Sequence, residues 1–481
     1  MLRSICLPLL LLLLACGAGA CSTYYEDNIE LERRLREGDI RAAREFVIQS
    51  DEARSDKNYI LYLLNRGSIE WMLGEYDSSF VMFERANRLI ESRRTTIGQE
   101  ILSYLVNPGV LPYRTEDHES VLVHYYQALN FLMQNRLDEA LVEARRINIK
   151  LNEINDQYES ENRYKRDAFA LTLTGLIYDA AGDYNNAFIA YRNAWETYRD
   201  DYDTLFNLHA PRQLQYDLVR AAERTGFRQE AERYRREFNI AMPPVSDSLG
   251  EVVFFWNNGL GPVKNQFAVN FVSVAGEGGA LIFESDYRGY SFPFYPDRER
   301  VNQDDKNALE KLETFRVAFP TYTERPLVYN RAVLIGRDTT RLELAEDINA
   351  IAHQSLEDRM LREFGQALLR VAIKKAAEYG VKQNNETLGA LLGLAGALTE
   401  NADTRNWQVL PHSIYYTRLM LPPGEQTIRF VAQSARGERF EEEFTFNILP
   451  GRTRFHAFHT LASGRPEEYQ WYEARPGPRG R

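Results

Sequence analysis

The sequence predicts an all-α helical repeat array in the N-terminal half, followed by an α+β domain with a mostly antiparallel sheet and a β-sandwich-like end. Small and aromatic residues recur at the offsets of helix hairpins up to residue 241. From Gly250 onward, short apolar and alternating runs typical of strands replace that spacing. Pro243 and Pro244 fall between the two patterns and indicate a junction.

The clearest repeat unit is Leu171 to Trp195, LTLTGLIYDAAGDYNNAFIAYRNAW. Gly175 is expected where the first helix lets the second come close. Gly182 is expected to end the first helix, because a left-handed residue costs glycine nothing. These are the offsets of one tetratricopeptide (TPR) unit. One such pair cannot bury both of its faces, so we expect further pairs to stack on it.

Similar turns are predicted at Gly38, Gly74, Asn135 and Gly226, where asparagine can replace glycine because it tolerates the left-handed region. Their spacing is irregular and longer than the ~34 residues of a regular array. We therefore predict an irregular TPR-like array with insertions. The expected boundaries are a signal peptide at 1–20, the TPR-like array at 21–241, a linker at 242–249, the α+β domain at 250–466 and a disordered tail at 467–481.

Charge and cysteine content narrow the classes of function. The net charge is −11, and no basic patch with interleaved aromatics occurs, so nucleic acid is not an expected partner. The three cysteines, Cys6, Cys16 and Cys21, all lie within the first 21 residues. The rest of the chain therefore has no disulfide framework and no cysteine metal site.

The N-terminus has the pattern of a lipoprotein signal. An apolar run at Leu7 to Leu14 is too short for a span of ~20 residues, and small residues follow it. We favour Cys21 as the lipid-attachment residue, with Cys16 as the alternative, because polar residues and the folded body follow Cys21 directly. An ordinary secreted protein is the remaining alternative. Ser22 favours the outer membrane of a Gram-negative cell, so we expect a lipid-anchored envelope protein facing the periplasm.

TPR-type arrays bind ligands on the concave face that their first helices line. The helical period places five residues near that face and makes them candidates for a partner-binding groove. The alternative is that they pack between neighbouring units. The five are Leu64, Trp71, Tyr125, Met133 and Asp179.

The densest polar cluster lies near residue 400. Glu400, Asp403 and Arg405, beside Trp407, could form an acid–base set in a cell-wall hydrolase. The preferred interpretation is structural, with Asp403 capping a turn and Arg405 forking to a carboxylate. Because GxSxG, HExxH, P-loop and GxGxxG patterns are missing, we expect a protein that is not an enzyme and that holds no metal or cofactor.

The stretch Leu388 to Leu398, LGALLGLAGAL, is apolar but too short to cross a bilayer. It is expected to be a close-packed buried helix. The alternative is that it touches lipid or a partner's membrane helix, as in a subunit of an export or secretion assembly.

At these residues the chain resembles a family of bacterial TPR-repeat-containing lipoproteins to which no reaction is attached. The similar features are the lipobox with its Cys-Ser-Thr-Tyr-Tyr start, the helical repeats, Gly250–Val253 with Gly261–Lys264, and the stretch T-E-x-A-D-T-R-x-W-x-x-L-P at 399–411. The resemblance implies an envelope lipoprotein and leaves its partner open. We therefore expect an adaptor that binds an envelope protein through its repeats.

Overall fold

A computed structural model describes residues 23–94, 109, 111–157, 164–241, 248–275, 281–284, 291–294, 314–358 and 401–467. Several sequence predictions lie outside these residues. They are the signal peptide, Cys16, Cys21, the stretch Leu388 to Leu398, Glu400 and the tail after residue 467.

The N-terminal half consists of helices that pair as antiparallel hairpins. All five predicted turn residues have positive φ, from 59° at Asn135 to 86° at Gly226, which confirms the predicted hairpins. The helices are α1 (Tyr24–Asp27), α2 (Ile29–Arg36), α3 (Ile40–Gln49), α4 (Asp51–Arg54), α5 (Tyr59–Met72), α6 (Tyr76–Arg94), α7 (Asp117–Met133), α8 (Leu137–Gln157), α9 (Ala168–Ala180), α10 (Tyr184–Thr197), α11 (Asp203–Phe206), α12 (Arg212–Thr225) and α13 (Arg228–Phe238), with a π-helical turn at Tyr198–Tyr202.

Two glycines allow the paired helices to approach closely. A Cβ atom on Gly175 would lie 2.5 Å from the ring of Tyr191, and one on Gly67 would lie 2.7 Å from the ring of Phe83. Both distances are far below van der Waals contact, so α9 against α10 and α5 against α6 each require glycine. The role predicted for Gly175 is confirmed.

The C-terminal half contains three sheets among the described residues. The first has the order β12-β1-β9-β8, the second β11-β10-β6-β7 and the third β4-β3-β2-β5. Strands β1 and β12 are parallel, and the other paired strands are antiparallel. The strands are β1 (Gly250–Asn258), β2 (Val263–Ala275), β3 (Leu281–Glu284), β4 (Ser291–Phe294), β5 (Thr314–Thr323), β6 (Arg331–Ile335), β7 (Thr339–Arg341), β8 (Glu343–Asp347), β9 (Ser413–Leu421), β10 (Gly424–Gln433), β11 (Arg439–Ile448) and β12 (Thr453–Thr460).

Strand β1 lies at the centre of a three-layer arrangement and is buried along its whole length. Val253 and Phe255 belong to the same hydrophobic core as the helical array. Phe254 and Trp256, on the opposite face, pack with Phe430 of the second sheet. The layers are therefore array, first sheet and second sheet, and the last two form the β-sandwich that the sequence predicts.

One element differs from the sequence prediction. The apolar spacing from Glu343 to Tyr379 predicts one or two amphipathic helices, but Glu343–Asp347 forms β8 and pairs with β9. The helix starts only at residue 348. The composition of this segment favours a helix. It forms a strand instead because the edge of β9 offers hydrogen-bonding partners, and strand formation depends strongly on tertiary context.

Candidate functional site

The concave face of the array is covered by the chain's own C-terminal half. The first helices of the hairpins, α5, α7, α9 and α12, line this face. Of the five predicted groove residues, Leu64, Trp71, Tyr125 and Asp179 are buried, and Met133 is partly buried against the same core. In this conformation none of the four buried side chains is available to a separate partner.

Tyr125 and Asp179 are bound by C-terminal residues. The Tyr125 hydroxyl donates to Oδ1 of Asn257 on β1 at 2.9 Å, and both residues are buried. Trp71 instead packs its ring edge-on against Tyr126 of the next hairpin, which is the alternative arrangement considered for the groove residues. The helical period thus placed Tyr125 and Asp179 on a face that the C-terminal half covers, but it did not predict what covers that face.

A buried ionic network joins the array to the first sheet. Arg418 on β9 lies 2.9 Å from Asp179 of α9 and 2.9 Å from Asp217 of α12, and it also contacts Glu251 of β1. Arg220 of α12 pairs with Glu251 at 2.7 Å and with Asp179. Burial would raise the pKa of Glu251, but the two guanidinium groups hold that pKa at about 2. The two guanidinium groups therefore favour the charged form of Glu251 in the interior.

Two further ion pairs connect the C-terminal half to other parts of the array. Lys264 at the start of β2 pairs with Glu116 beside α7. Arg325, whose side chain is buried, pairs with Glu32 of α2 at 3.1 Å and donates to the carbonyl of Gly261. Breaking a buried pair by removing one partner costs about 3–5 kcal/mol, because the remaining charge is left uncompensated.

Trp407 is inserted between α5, α6 and α7. Only 1% of the side chain is exposed, and its ring lies 5.5 Å from that of Phe83 and 5.6 Å from that of Tyr126. Its indole N–H donates to Ser68 Oγ at 3.2 Å, and its backbone N–H donates to Glu119 Oε1 at 2.6 Å. Trp407 therefore acts as a wedge that holds the C-terminal half in the concave face.

The polar cluster before Trp407 is a structural connection. Arg405 forks to Asp403, with Nη2–Oδ2 at 2.6 Å and Nε–Oδ1 at 2.8 Å. It also donates to the backbone carbonyls of Lys57 and Leu111 in the array. With both groups occupied by each other and by backbone, they are poorly placed to transfer protons to a substrate. This pairing weighs against the hydrolase alternative for two of its three residues.

The Glu119 carboxyl, which accepts a hydrogen bond from the Trp407 backbone, has a shifted pKa. Burial raises its pKa to about 7, and the nearby Glu116 adds to the shift. Its oxygens accept from the Trp407 backbone, from the Tyr113 hydroxyl and from the Glu116 backbone. These bonds bind the acid into the interface and leave no open face for a reacting group.

A small cavity lies where α7, α8 and α9 meet β8. Its lining includes Asp167, Glu346, Tyr164 and His118, and it has room for about 10 Å³, close to one water. Burial raises the pKa of both Asp167 and Glu346. The cavity is too small for a substrate, so these carboxyls are interior acids rather than an open catalytic pair.

The described parts of the chain offer neither a metal-ion site nor a membrane-spanning helix. Within those ranges, no group of three or more His, Cys, Asp or Glu residues has an arrangement that could hold a metal ion. None of the helices that the structure covers combines the length and hydropathy required to cross a membrane.

No protein-family model matches the chain, and no curated protein matches it in sequence. Solved structures with helical repeats align with less than half of it. MamA from Desulfovibrio magneticus RS-1 is 18% identical, covers 44% of this chain and 90% of its own, and has a TM-score of 0.28. BtubC from P. vanneervenii is 17% identical, covers 46% of this chain and 87% of its own, and has a TM-score of 0.30. The TPR-like repeats of a kinesin light chain from Podosopora anserina are 17% identical, cover 45% of this chain and 92% of their own, and also have a TM-score of 0.30.

With TM-scores of 0.28 and 0.30, these alignments carry no argument about this chain. The TPR-like description of the array rests on its own hairpins, left-handed turns and close glycine contacts. The resemblance to the lipoprotein family stays a prediction, as do its lipobox and the 399–411 motif.

Proposed function

We propose that the protein is a non-enzymatic, lipid-anchored adaptor of the cell envelope, tethered through Cys21 and facing the periplasm. Its array holds the C-terminal half in the concave face, and an envelope protein binds the outer face. The observation that carries the proposal is the occupied concave face, where Tyr125, Asp179 and Trp407 are all bound within the chain. A partner must therefore use a surface that this packing leaves open.

The second helices of the hairpins offer such a surface. Each of α6, α8 and α10 carries large aliphatic residues that are 38–56% exposed. They are Val81, Val142, Ile149 and Ile189. Val142 and Ile149 lie seven residues apart, so they share one face of α8.

The anchor is tested separately from the partner. Cells producing the wild type, Cys21→Ser or Cys16→Ser are fractionated, and the mass of the N-terminal peptide is measured. We expect a diacylglyceryl mass on Cys21 and loss of membrane association only in Cys21→Ser. An unmodified N-terminal peptide, or a modified Cys16, would overturn this assignment.

The partner surface is tested by a photoreactive amino acid at Ile149 or Val142 in living cells. The matched control is the same group at Leu449, which is 57% exposed on the sandwich. We expect one dominant envelope protein to be captured from α8 and not from position 449. Equal capture at all three positions, or none, would contradict binding through the second helices.

A further inference from the structure

Strand β11 forms an edge of the second sheet. It is ten residues long, Arg439 to Ile448, and pairs with β10 at every position. The sheet order β11-β10-β6-β7 leaves no other described strand on its far side. Because the hydrogen-bonding groups of a strand's backbone point alternately to its two sides, the far side of β11 presents a row of N–H and C=O groups to which another chain could add a strand.

Aromatic side chains line the inner side of this edge. Phe440 and Phe444 are half-buried, and their rings lie 5.9 Å and 5.2 Å from that of Phe458 on β12. Strand β12 is itself the outer strand of the first sheet, so both sheets of the sandwich end on this side. Apolar side chains of an added strand would therefore extend the sandwich core by packing on Phe440 and Phe444.

Three consecutive glutamates give the edge its charge. Glu441, Glu442 and Glu443 are all exposed. Because side chains alternate along a strand, Glu442 lies on the inner face with the phenylalanines, and its two neighbours lie on the outer face. Among the described residues, this group forms an ion pair between Glu441 and Arg429, at 3.7 Å and with side chains 43% and 47% exposed. A pair so exposed contributes little, and the edge is therefore acidic on both faces.

This charge argues against a second copy of the chain as the occupant. Two β11 edges paired antiparallel around Glu442 would place glutamate opposite glutamate at three successive positions, and like charges directly opposite are destabilising. Charged residues on an edge are a common means of preventing such self-pairing. A strand with lysine or arginine at the opposing positions reverses the sign of each pair and gains from it. The acidic edge therefore discriminates between partners rather than only blocking them.

We propose that β11 is a docking edge for an extended segment of a partner protein, with lysine or arginine opposite Glu441–Glu443 and apolar residues opposite Phe440 and Phe444. The added strand continues the second sheet. Main-chain hydrogen bonds supply the affinity, and the charged and apolar contacts select the sequence. This surface is separate from the outer face of the array and does not depend on the lipid anchor, so it goes beyond the adaptor function proposed above.

The first test measures the fluorescence anisotropy of two labelled peptides with the full chain from Ser22, without lipid. The lysine peptide, Val-Thr-Val-Lys-Lys-Lys-Val-Glu, is written to pair antiparallel with residues 446 to 439, since antiparallel pairing is the more stable kind. The glutamate peptide, Val-Thr-Val-Glu-Glu-Glu-Val-Lys, is its charge-reversed control. We expect the lysine peptide to bind at least about tenfold more tightly. Equal binding of the two peptides, or no binding of either, would overturn the proposal.

Reversing the charge of the edge locates the binding. In Glu441→Lys/Glu442→Lys/Glu443→Lys the preference should reverse, so that the glutamate peptide binds about tenfold more tightly than the lysine peptide. All three positions are exposed, so the substitutions leave the core intact, and circular dichroism checks that the variant is folded. A preference for the lysine peptide that survives in this variant would contradict docking at β11.

The matched control makes the same change of net charge elsewhere. It is Glu45→Lys/Glu232→Lys/Glu237→Lys, at exposed positions of α3 and α13. This variant should keep the wild-type preference for the lysine peptide. A preference that reverses in both variants would show attraction to net charge alone and would overturn β11 as the site.

A further measurement asks whether the peptide adds a strand. Methylating alternate backbone nitrogens removes the hydrogen-bond donors on one side of an extended peptide, so two methylated lysine peptides can be made that differ in the blocked side. Since one side faces β11, we expect one of them to bind at least about tenfold more weakly and the other to bind like the unmodified peptide. Equal binding of both would mean that the contact is not strand pairing and would refute the proposal. Dimers of the wild type that the lysine peptide dissociates would place a second copy on this edge and would also contradict it.

Discussion

Replacing Trp407 by alanine removes the wedge between the C-terminal half and the array. Truncating a buried tryptophan to alanine lowers the free energy of unfolding by about 3–5 kcal/mol, because it leaves a cavity. Here the cavity would lie between Phe83 and Tyr126, which the other packed helices hold in place. Loss of the indole bond to Ser68 adds about 1 kcal/mol. We therefore expect the free energy of unfolding to fall by about 4–6 kcal/mol.

The assay is urea denaturation of the unlipidated mature chain, followed by circular dichroism. Trp407→Phe is the matched control, because it keeps an aromatic ring and loses the indole N–H and some volume. Its free energy of unfolding should fall by about 1–2 kcal/mol. A loss below 1 kcal/mol in Trp407→Ala would refute the wedge, since such a value is typical of a side chain that is not buried.

Two further predictions concern the array and its cavity. Gly175→Ala should lower the free energy of unfolding by about 1–3 kcal/mol, because the new Cβ clashes with Tyr191. The control Gly182→Ala, where nothing lies within 4 Å, should lower it by about 1 kcal/mol from the left-handed backbone alone. A Gly175→Ala variant that is more stable than the wild type in thermal melts would contradict the close approach of the helices. Burial, and to a lesser extent the charge of Asp167, raises the pKa of Glu346. The folded state therefore keeps a proton that the unfolded chain releases above about pH 4.3. The free energy of unfolding consequently falls as the pH rises above that value. Glu346→Gln should therefore show a smaller fall in Tm between pH 5 and 8 than the wild type, and parallel curves would disprove this origin.

Local features of the fold were predictable because they depend on backbone chemistry near one residue. Each hairpin turn needs a left-handed residue, and Gly74, Asn135 and Gly182 are types that adopt it at low cost. The runs Ser413 to Leu421 and Arg439 to Ile448 predict strands, and β9 and β11 have those bounds, since turns of Pro and Gly separate them from their neighbours.

Contacts between the two halves were not predictable from local patterns. Arg418 meets Asp179 and Glu251 from distant parts of the chain, and no spacing rule connects such residues. One signal was present in the sequence of α7, where the apolar residues between Val121 and Leu132 are spread around most of the helix; in the structure every residue from His118 through Leu132 is buried. A helix that is apolar around most of its surface is covered on all sides, which argues against an open groove. The strand Glu343–Asp347 was missed for a related reason, because its pairing partner lies far away in sequence.

The chain's own C-terminal half binds the concave face of the array, and this packing can be tested directly. A double-mutant cycle on Tyr125→Phe and Asn257→Ala in the full mature chain tests it most directly, because the Tyr125 hydroxyl donates to Asn257 across that interface. Urea denaturation of the wild type, both single variants and the double variant should give a coupling energy of about 1 kcal/mol. A coupling below about 0.3 kcal/mol, the range expected for residues that do not interact, would mean that Tyr125 does not contact the C-terminal half.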